Sequence, residues 1–179
     1  MPRELNEQKY CGWCGAAVEY FDKWAGRCTR CGYIKYINPN PCSNVMITKG
    51  GKVLMVQRSK EPYKGKYDLP GGFMEVADES MEAAALRELQ EEIGLQQNDL
   101  GELRYFGSAR PQPYEWMDSL INNISFFYAA ELTGAEANIK VDASENDGYI
   151  WAGSDELASI DFAWDIDKIM LRKYFKEMA

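Results

Sequence analysis

Apolar positions along this chain cluster in two ways, and the difference predicts its elements. Asn44–Thr48 and Val53–Arg58 are short apolar blocks on either side of Lys49-Gly50-Gly51-Lys52. Blocks of that length flanking a Gly-Gly pair predict two strands joined by a hairpin. Lys64-Gly65-Lys66 then leads into a short extended stretch, Tyr67-Asp68-Leu69-Pro70, which ends at Gly71-Gly72-Phe73. From Ser80 onward the spacing becomes helical and holds to Ile93. Ser80 is placed to cap the first turn, and Gly94 to end the helix in a left-handed conformation. Strands are predicted again at 103–109, 122–132 and 149–151. A second helix is predicted over Asp165–Met178, with Ile166, Ile169, Met170 and Tyr174 on one side. The order describes a mixed α+β domain with one helix planted after a glycine-rich bend.

That first helix has two unlike faces. At about 100° per residue, Leu86, Leu89 and Ile93 fall within about 60° of one another and form a core stripe. Glu88, Glu91 and Glu92 lie on the opposite side. Carboxylates at i, i+3 and i+4 repel one another, and a solvated acidic face is the plain reading of such a stripe. The surroundings favour a second one. Gly71 and Gly72 leave bare backbone that can approach a ligand and offer a carbonyl oxygen. Glu79 stands eight residues before Arg87, close enough for the intervening chain to fold a carboxylate onto the guanidinium. Hard oxygen donors on one face suit Mg²⁺ or Mn²⁺, and a dication offsets the repulsion among the acids.

Composition narrows the chemistry. The chain has 179 residues, 46% hydrophobic and 27% charged, with a net charge of −8, which is ordinary globular composition. No apolar run approaches the ~20 residues of a membrane span, and the N-terminus carries acids rather than a leader's apolar core. A cytoplasmic location is the expectation. There is no histidine. Ser-His-Asp and Cys-His catalysis, His-ligated zinc hydrolysis and His-ligated haem are therefore excluded. Four of the five cysteines form two pairs, Cys11-x2-Cys14 and Cys28-x2-Cys31, each followed by glycine. Two such knuckles predict a tetrahedral four-cysteine Zn²⁺ site of the ribbon kind, which staples a segment too short to bury a core of its own. Cys42 is left over and reads first as a small buried hydrophobe, with a reactive thiol as the lesser alternative. Residues 1–40 hold six Lys/Arg against four Asp/Glu, while the remainder holds fourteen against twenty-four. This mild basic bias leaves room for nucleic-acid contact through the ribbon. Asn38-Pro39-Asn40-Pro41 predicts an extended linker, giving a ribbon over 1–37, a linker over 38–43 and a larger domain over 44–179.

The run Glu79-x7-Arg87-Glu88-Leu89-Gln90-Glu91-Glu92-Ile93-Gly94-Leu95 resembles the Nudix box, G-x5-E-x7-R-E-U-x-E-E-x-G-U, where U is a bulky aliphatic residue. Six residues, Phe73 to Asp78, separate Gly72 from Glu79 where the pattern has five, so a one-residue insertion is expected around 76–78. The resemblance implies a Nudix-type sandwich of mixed sheet and helices behind the zinc ribbon, and a pyrophosphohydrolase acting on a nucleoside diphosphate linked to another moiety. It further implies Glu88 and Glu92 as principal Mg²⁺ or Mn²⁺ ligands with the Gly71 carbonyl, and Glu91 as a further ligand or base. Arg87 and Glu79 are implied as a pair that aims the glutamates. A second carboxylate from a later loop is a family trait, and Glu145 in Ser144-Glu145-Asn146-Asp147-Gly148 is the candidate. Ribbon and box together resemble NADH pyrophosphatases. Ser108-Ala109-Arg110-Pro111-Gln112-Pro113-Tyr114 stands, in different wording, where those enzymes carry Ser-Gln-Pro-Trp. Arg110 could meet a phosphate there, and Tyr114 and Trp116 could sandwich a base. NADH and ADP-ribose are the expected substrate types. A nucleotide-sensing module and an RNA 5′-end decapping enzyme are the alternatives, and a homodimer is common among such relatives.

Overall fold

The computed structural model describes residues 9–117 and 119–178; the side chains of Trp116, Ser119 and Leu120 lie outside that description, as do residues 1–8 of the expected ribbon. In chain order the strands and helices are β1 (Val18–Asp22), β2 (Ala25–Cys28), β3 (Ile34–Tyr36), β4 (Asn40–Lys49), β5 (Lys52–Arg58), β6 (Tyr67–Asp68), β7 (Gly71–Phe73), α1 (Met81–Ile93), β8 (Arg104–Ala109), β9 (Tyr114–Trp116), β10 (Ser119–Ile121), β11 (Asn123–Glu131), β12 (Asn146–Ala152) and α2 (Asp165–Met178). They fall into two compact units. One holds the chain up to Asn40 with Gln112–Asn122, and the other holds Pro41–Pro111 with the chain from Asn123 onward.

The smaller unit contains the antiparallel sheet β1-β2-β3 and the hairpin β9-β10. Val18, Cys11 and Cys28 form its small core, too little apolar surface to hold a fold by itself.

The larger unit is a sheet in the order β12-β5-β4-β11-β8, with β6 added to β5 and β7 to β4. The apolar blocks of β4 and β5 serve both faces of that sheet. Val45, Ile47, Leu54 and Val56 meet Ala85, Leu89 and Ile93 of α1 on one side. Met46, Val53 and Met55 meet Met170, Leu171 and Tyr174 of α2 on the other. A strand covered on both faces has no polar side to show, which is why these blocks are continuous rather than alternating. The expected core stripe of α1 is present, with Leu86 half-buried against it and Ala85 added. Ser80 caps the helix by accepting from Ala83 N–H at 3.1 Å. Gly94 ends it at φ 73° and donates to Gln90 O.

One boundary differs. β4 starts at Asn40, inside the expected 38–43 linker. Cys42, Ser43 and Asn44 pair with Phe73, Gly72 and Gly71 of β7, so a partner some thirty residues downstream draws the segment into the sheet. Pro41 is tolerated near the strand's start, where its missing N–H costs little.

Candidate active site

β7 and α1 bring the paired glycines to the acidic helix face. Gly71 N–H donates to Glu92 Oε2 at 3.2 Å. A Cβ built on Gly72 would stand 2.5 Å from the Cδ of Glu88. Only hydrogen at this position lets that carboxylate lie against the backbone. Gly71 itself has φ 149°, and a Cβ there would lie 2.0 Å from Ser43 O on β4. Both glycines are thus required, one by the sheet and the other by the glutamate. Glu88 and Glu92, one helical turn apart, flank the bend, while Glu91 is 58% exposed and turned to Arg87. Bare backbone beside two inward carboxylates suits a hard divalent cation with retained waters.

Arg87 organises this face. Its Nη1 donates to Glu88 Oε1 at 3.0 Å and to Glu91 Oε2 at 2.8 Å, and its Nη2 donates to Phe73 O at 2.8 Å. Its bidentate carboxylate partner is Asp78, with Nε to Oδ1 at 3.1 Å and Nη2 to Oδ2 at 3.0 Å. The expected partner, Glu79, is exposed. The correction has a simple cause. Five residues separate Gly72 from Asp78, the spacing the box requires, so the extra residue falls after Asp78 and not before it. Asp78 also accepts from Glu75 N–H at 2.7 Å, which closes the loop into a turn aimed at Arg87. The Arg87 hydrogen bonds hold the Asp78 carboxyl below the usual carboxylate range.

Burial pushes the carboxyls of Glu88 and Glu92 upward, Glu92 far more strongly. The Asp68 charge raises Glu92 further, and the Gly71 N–H opposes it. Acids forced together away from water gain from a cation between them. Glu145 adds to the field at Glu92. Its loop docks on the helix end through Asp142 N–H to Glu92 O at 2.8 Å, and its carboxylate pairs with Lys60. Asp78 is a positioning residue that the box pattern does not mark. The five-residue spacing from Gly72 was the available signal for Asp78.

In the smaller unit the ligand atoms of Cys11, Cys14, Cys28 and Cys31 all lie within 4.8 Å of one another, positioned to hold a metal ion. Cys11 and Cys31 Sγ are 3.8 Å apart and Cys14 and Cys28 Sγ 3.4 Å, so the thiols are free rather than bridged. Gly15 and Gly32 each take φ 72°, turning the chain back behind its knuckle. The backbone N–H of Cys31 leads the groups that hold the Cys28 thiol down to about 6. Cys42 is elsewhere, on β4, beside Ser125 Oγ at 3.3 Å.

The three residues expected to meet substrate are divided. Arg110 follows β8 in the larger unit, exposed, while Tyr114 and Trp116 belong to β9 in the smaller one.

A helix that turns acids onto a Gly-Gly bend, set against a mixed sheet, defines an α+β domain of one recognisable class. The profile of the NUDIX domain matches residues 40–174, and the chain belongs to that family. It is 33% identical over 157 residues to the NAD-capped RNA hydrolase NudC of Photobacterium profundum, covering 87% of this chain and 54% of that protein. It is 32% identical over 113 residues to the ADP-ribose pyrophosphatase of Methanocaldococcus jannaschii, covering 63% of each. The chain spans about half the length of the NudC relative. Among solved structures, a NUDIX hydrolase from Nitrosomonas europaea superposes with a TM-score of 0.69 at 27% identity, over 94% of this chain and 91% of that one. The NUDIX domain of Shewanella oneidensis NrtR, complexed with ADP ribose, shares the fold at a TM-score of 0.62 and 19% identity, over 79% and 90%. Among the described residues no helix is long and apolar enough to cross a membrane.

Proposed function

We propose that the protein is a hydrolase that cleaves the diphosphate of a nucleoside diphosphate joined to another moiety, with NADH and ADP-ribose as the substrate types. The observation that carries this reading is the pair Glu88 and Glu92 set against the bare backbone of Gly71 and Gly72. Those two carboxylates and the Gly71 carbonyl would hold Mg²⁺ or Mn²⁺. The ion, when bound, would neutralise the diphosphate and make phosphorus more electrophilic. Arg87, fixed by Asp78, orients Glu88 and Glu91. Glu91 or Glu145 removes the proton from the attacking water, directly or through an intervening water. Water is the nucleophile and no covalent enzyme intermediate is required, so a chain without histidine is equipped for the reaction. The names of the bacterial and archaeal relatives support the same substrate class. The four cysteines would hold Zn²⁺ as a staple for the N-terminal ribbon, with the catalytic domain beginning at β4, in a cytoplasmic protein.

The test is a screen of NADH, ADP-ribose, nucleotide sugars and dinucleoside polyphosphates with Mg²⁺ or Mn²⁺. Cleavage at the diphosphate is expected, and Glu88→Gln and Glu92→Gln should each abolish it while circular dichroism stays unchanged. Undiminished turnover in both variants would refute the assignment.

A further inference from the structure

Behind the glycine bend lies a second pair of acids that the proposed chemistry does not use. Asp167, in the first turn of α2, is fully buried, and Asp68, on β6, is 7% exposed. Asp68 Oδ2 is well served. It accepts from Arg58 Nη1 at 2.9 Å and from Trp164 Nε1 at 2.9 Å. Among the described residues, Asp68 Oδ1 has no hydrogen-bond partner, and neither has either oxygen of Asp167. Three orphaned carboxylate oxygens in one place cannot be left so at the usual cost of burying an acceptor, let alone a charge. The two carboxyls lie within hydrogen-bonding reach of each other. One added proton repairs the arrangement.

The charges facing Asp167 lead to the same result. Asp68 on β6 presents a carboxylate, and Arg58 on β5 the cation. β4 presents the Cys42 thiol, itself pushed up to about 11 by burial and so uncharged. The Leu69 N–H also faces Asp167. Arg58 is already committed to Asp68 and, through Nε, to Pro62 O at 2.8 Å. Among the described residues facing the pair, one guanidinium therefore stands against two buried acids. Burial, then the Asp68 charge and hydrogen bond, push the Asp167 carboxyl well above the ordinary range, against the weaker pull of Leu69 and Arg58.

We propose that Asp167 is a neutral carboxylic acid donating its proton to Asp68 Oδ1, and that this bond makes Asp167 a positioning residue tying α2 to the glycine bend. Asp68 stands three residues before Gly71. The same segment is fastened to the chain leading into α2 by Tyr67 N–H to Asp161 O at 2.9 Å and Ala163 N–H to Tyr67 O at 2.8 Å. Ionisation of both acids would set two anions against each other at this seam and loosen β6 and β7, which place Gly71 and Gly72 beside the glutamates. The link to the ion site rests on the function proposed above; the protonation itself does not.

Infrared difference spectroscopy of the whole protein at pH 7, wild type against Asp167→Asn, tests the proton directly. The carbonyl band of one protonated carboxylic acid should be present in the wild type and lost in the variant, over any band common to both. A variant that loses no such band would overturn the proposal. Urea unfolding gives an independent reading. The unfolded chain ionises near pH ~4 while native Asp167 keeps its proton, so wild-type stability falls as pH rises from there towards the native pKa. Relative to Asp167→Asn, the wild-type folding constant should drop by about tenfold per pH unit across that window. A pH-independent difference refutes the shared proton. Positioning is read by Mn²⁺ binding: Asp167→Leu should weaken it by roughly tenfold or more, and Asp167→Asn should restore it. Equal affinity in all three overturns the positioning role. A wild type that binds no Mn²⁺ refutes the proposed function instead, and the infrared band still decides the pair.

Discussion

Replacing Gly72 by alanine separates the site's geometry from the stability of the fold. The backbone at Gly72 accepts an L-residue, since its φ lies outside the left-handed region that Gly71 occupies. The added methyl would stand 2.5 Å from Glu88 Cδ and Oε1 and 2.6 Å from Oε2. Carbon atoms in comfortable contact are about 3.5 Å apart, so the carboxylate must retreat by about 1 Å. It can do so by side-chain rotation, without moving the sheet, at the cost of stretching its 3.0 Å bond from Arg87. A shift of that size at a catalytic ligand costs about a hundredfold in rate. The urea midpoint should change by no more than about 1 kcal/mol of stability, the scale of a modest repacking. The assay is ADP-ribose hydrolysis at saturating Mg²⁺ beside urea unfolding, with Gly101→Ala as a control whose methyl would meet nothing closer than 3.7 Å. Wild-type kcat in Gly72→Ala would show that Glu88 does not work against this backbone, and the site would have to be redrawn.

Gly71→Ala should have the opposite signature, because its methyl meets Ser43 O of β4 at 2.0 Å and its φ is unfavourable; roughly 3 kcal/mol or more should be lost, read as a lowered urea midpoint. Asp78→Ala should lower both the midpoint and turnover, and Glu79→Ala neither; equal effects would contradict the Arg87 geometry. Because Arg87 holds the Asp78 carboxyl below its unfolded value, the stability this group contributes is present above pH ~4 and is lost as pH falls through its native pKa. Asp78→Asn should flatten that acid limb in pH-dependent unfolding. Purified protein should carry about one Zn²⁺ per chain, and chelation should release the four thiols to a titrant while Cys42, its thiol pushed up to about 11, still reacts slowly at pH 8.

Most of the larger unit was legible because its signals are local. The 3.6-residue spacing of Leu89 and Ile93, the Ser80 and Gly94 caps and the Gly50-Gly51 turn each fix a conformation within a few residues of themselves. What escaped were features that depend on a distant partner. β4 extends back to Asn40 because β7 pairs with it, and nothing within 38–43 announces that. The β9-β10 hairpin was hidden in a proline-bearing stretch that reads as loop, and its turn carries Met117 at φ 48° instead of a glycine.

The candidate site shows the same division more sharply. A linear motif identifies which acids share a helix face, and Glu88 and Glu92 do lie beside Gly72 and Gly71. A motif counts residues along one path, however, and an insertion leaves open which neighbour inherits a role. Asp78 and Glu79 are both acids beside the gap, and only the bidentate geometry at Arg87 separates them. Aspartate is one methylene shorter than glutamate, and Phe73 O helps by binding the same guanidinium, so the loop must draw closer to Arg87 to make the pair. Asp68 and Asp167 are further from sequence reasoning still. Ninety-nine positions separate them, and what makes them unusual is their shared burial, with Arg58 as the cation that faces both. If that pair carries one proton, the conventional net charge of −8, which counts every acid as ionised, overstates the charge of the folded chain. The overstatement falls beside the segment that leads to the glycine bend, where a second anion would most disturb it.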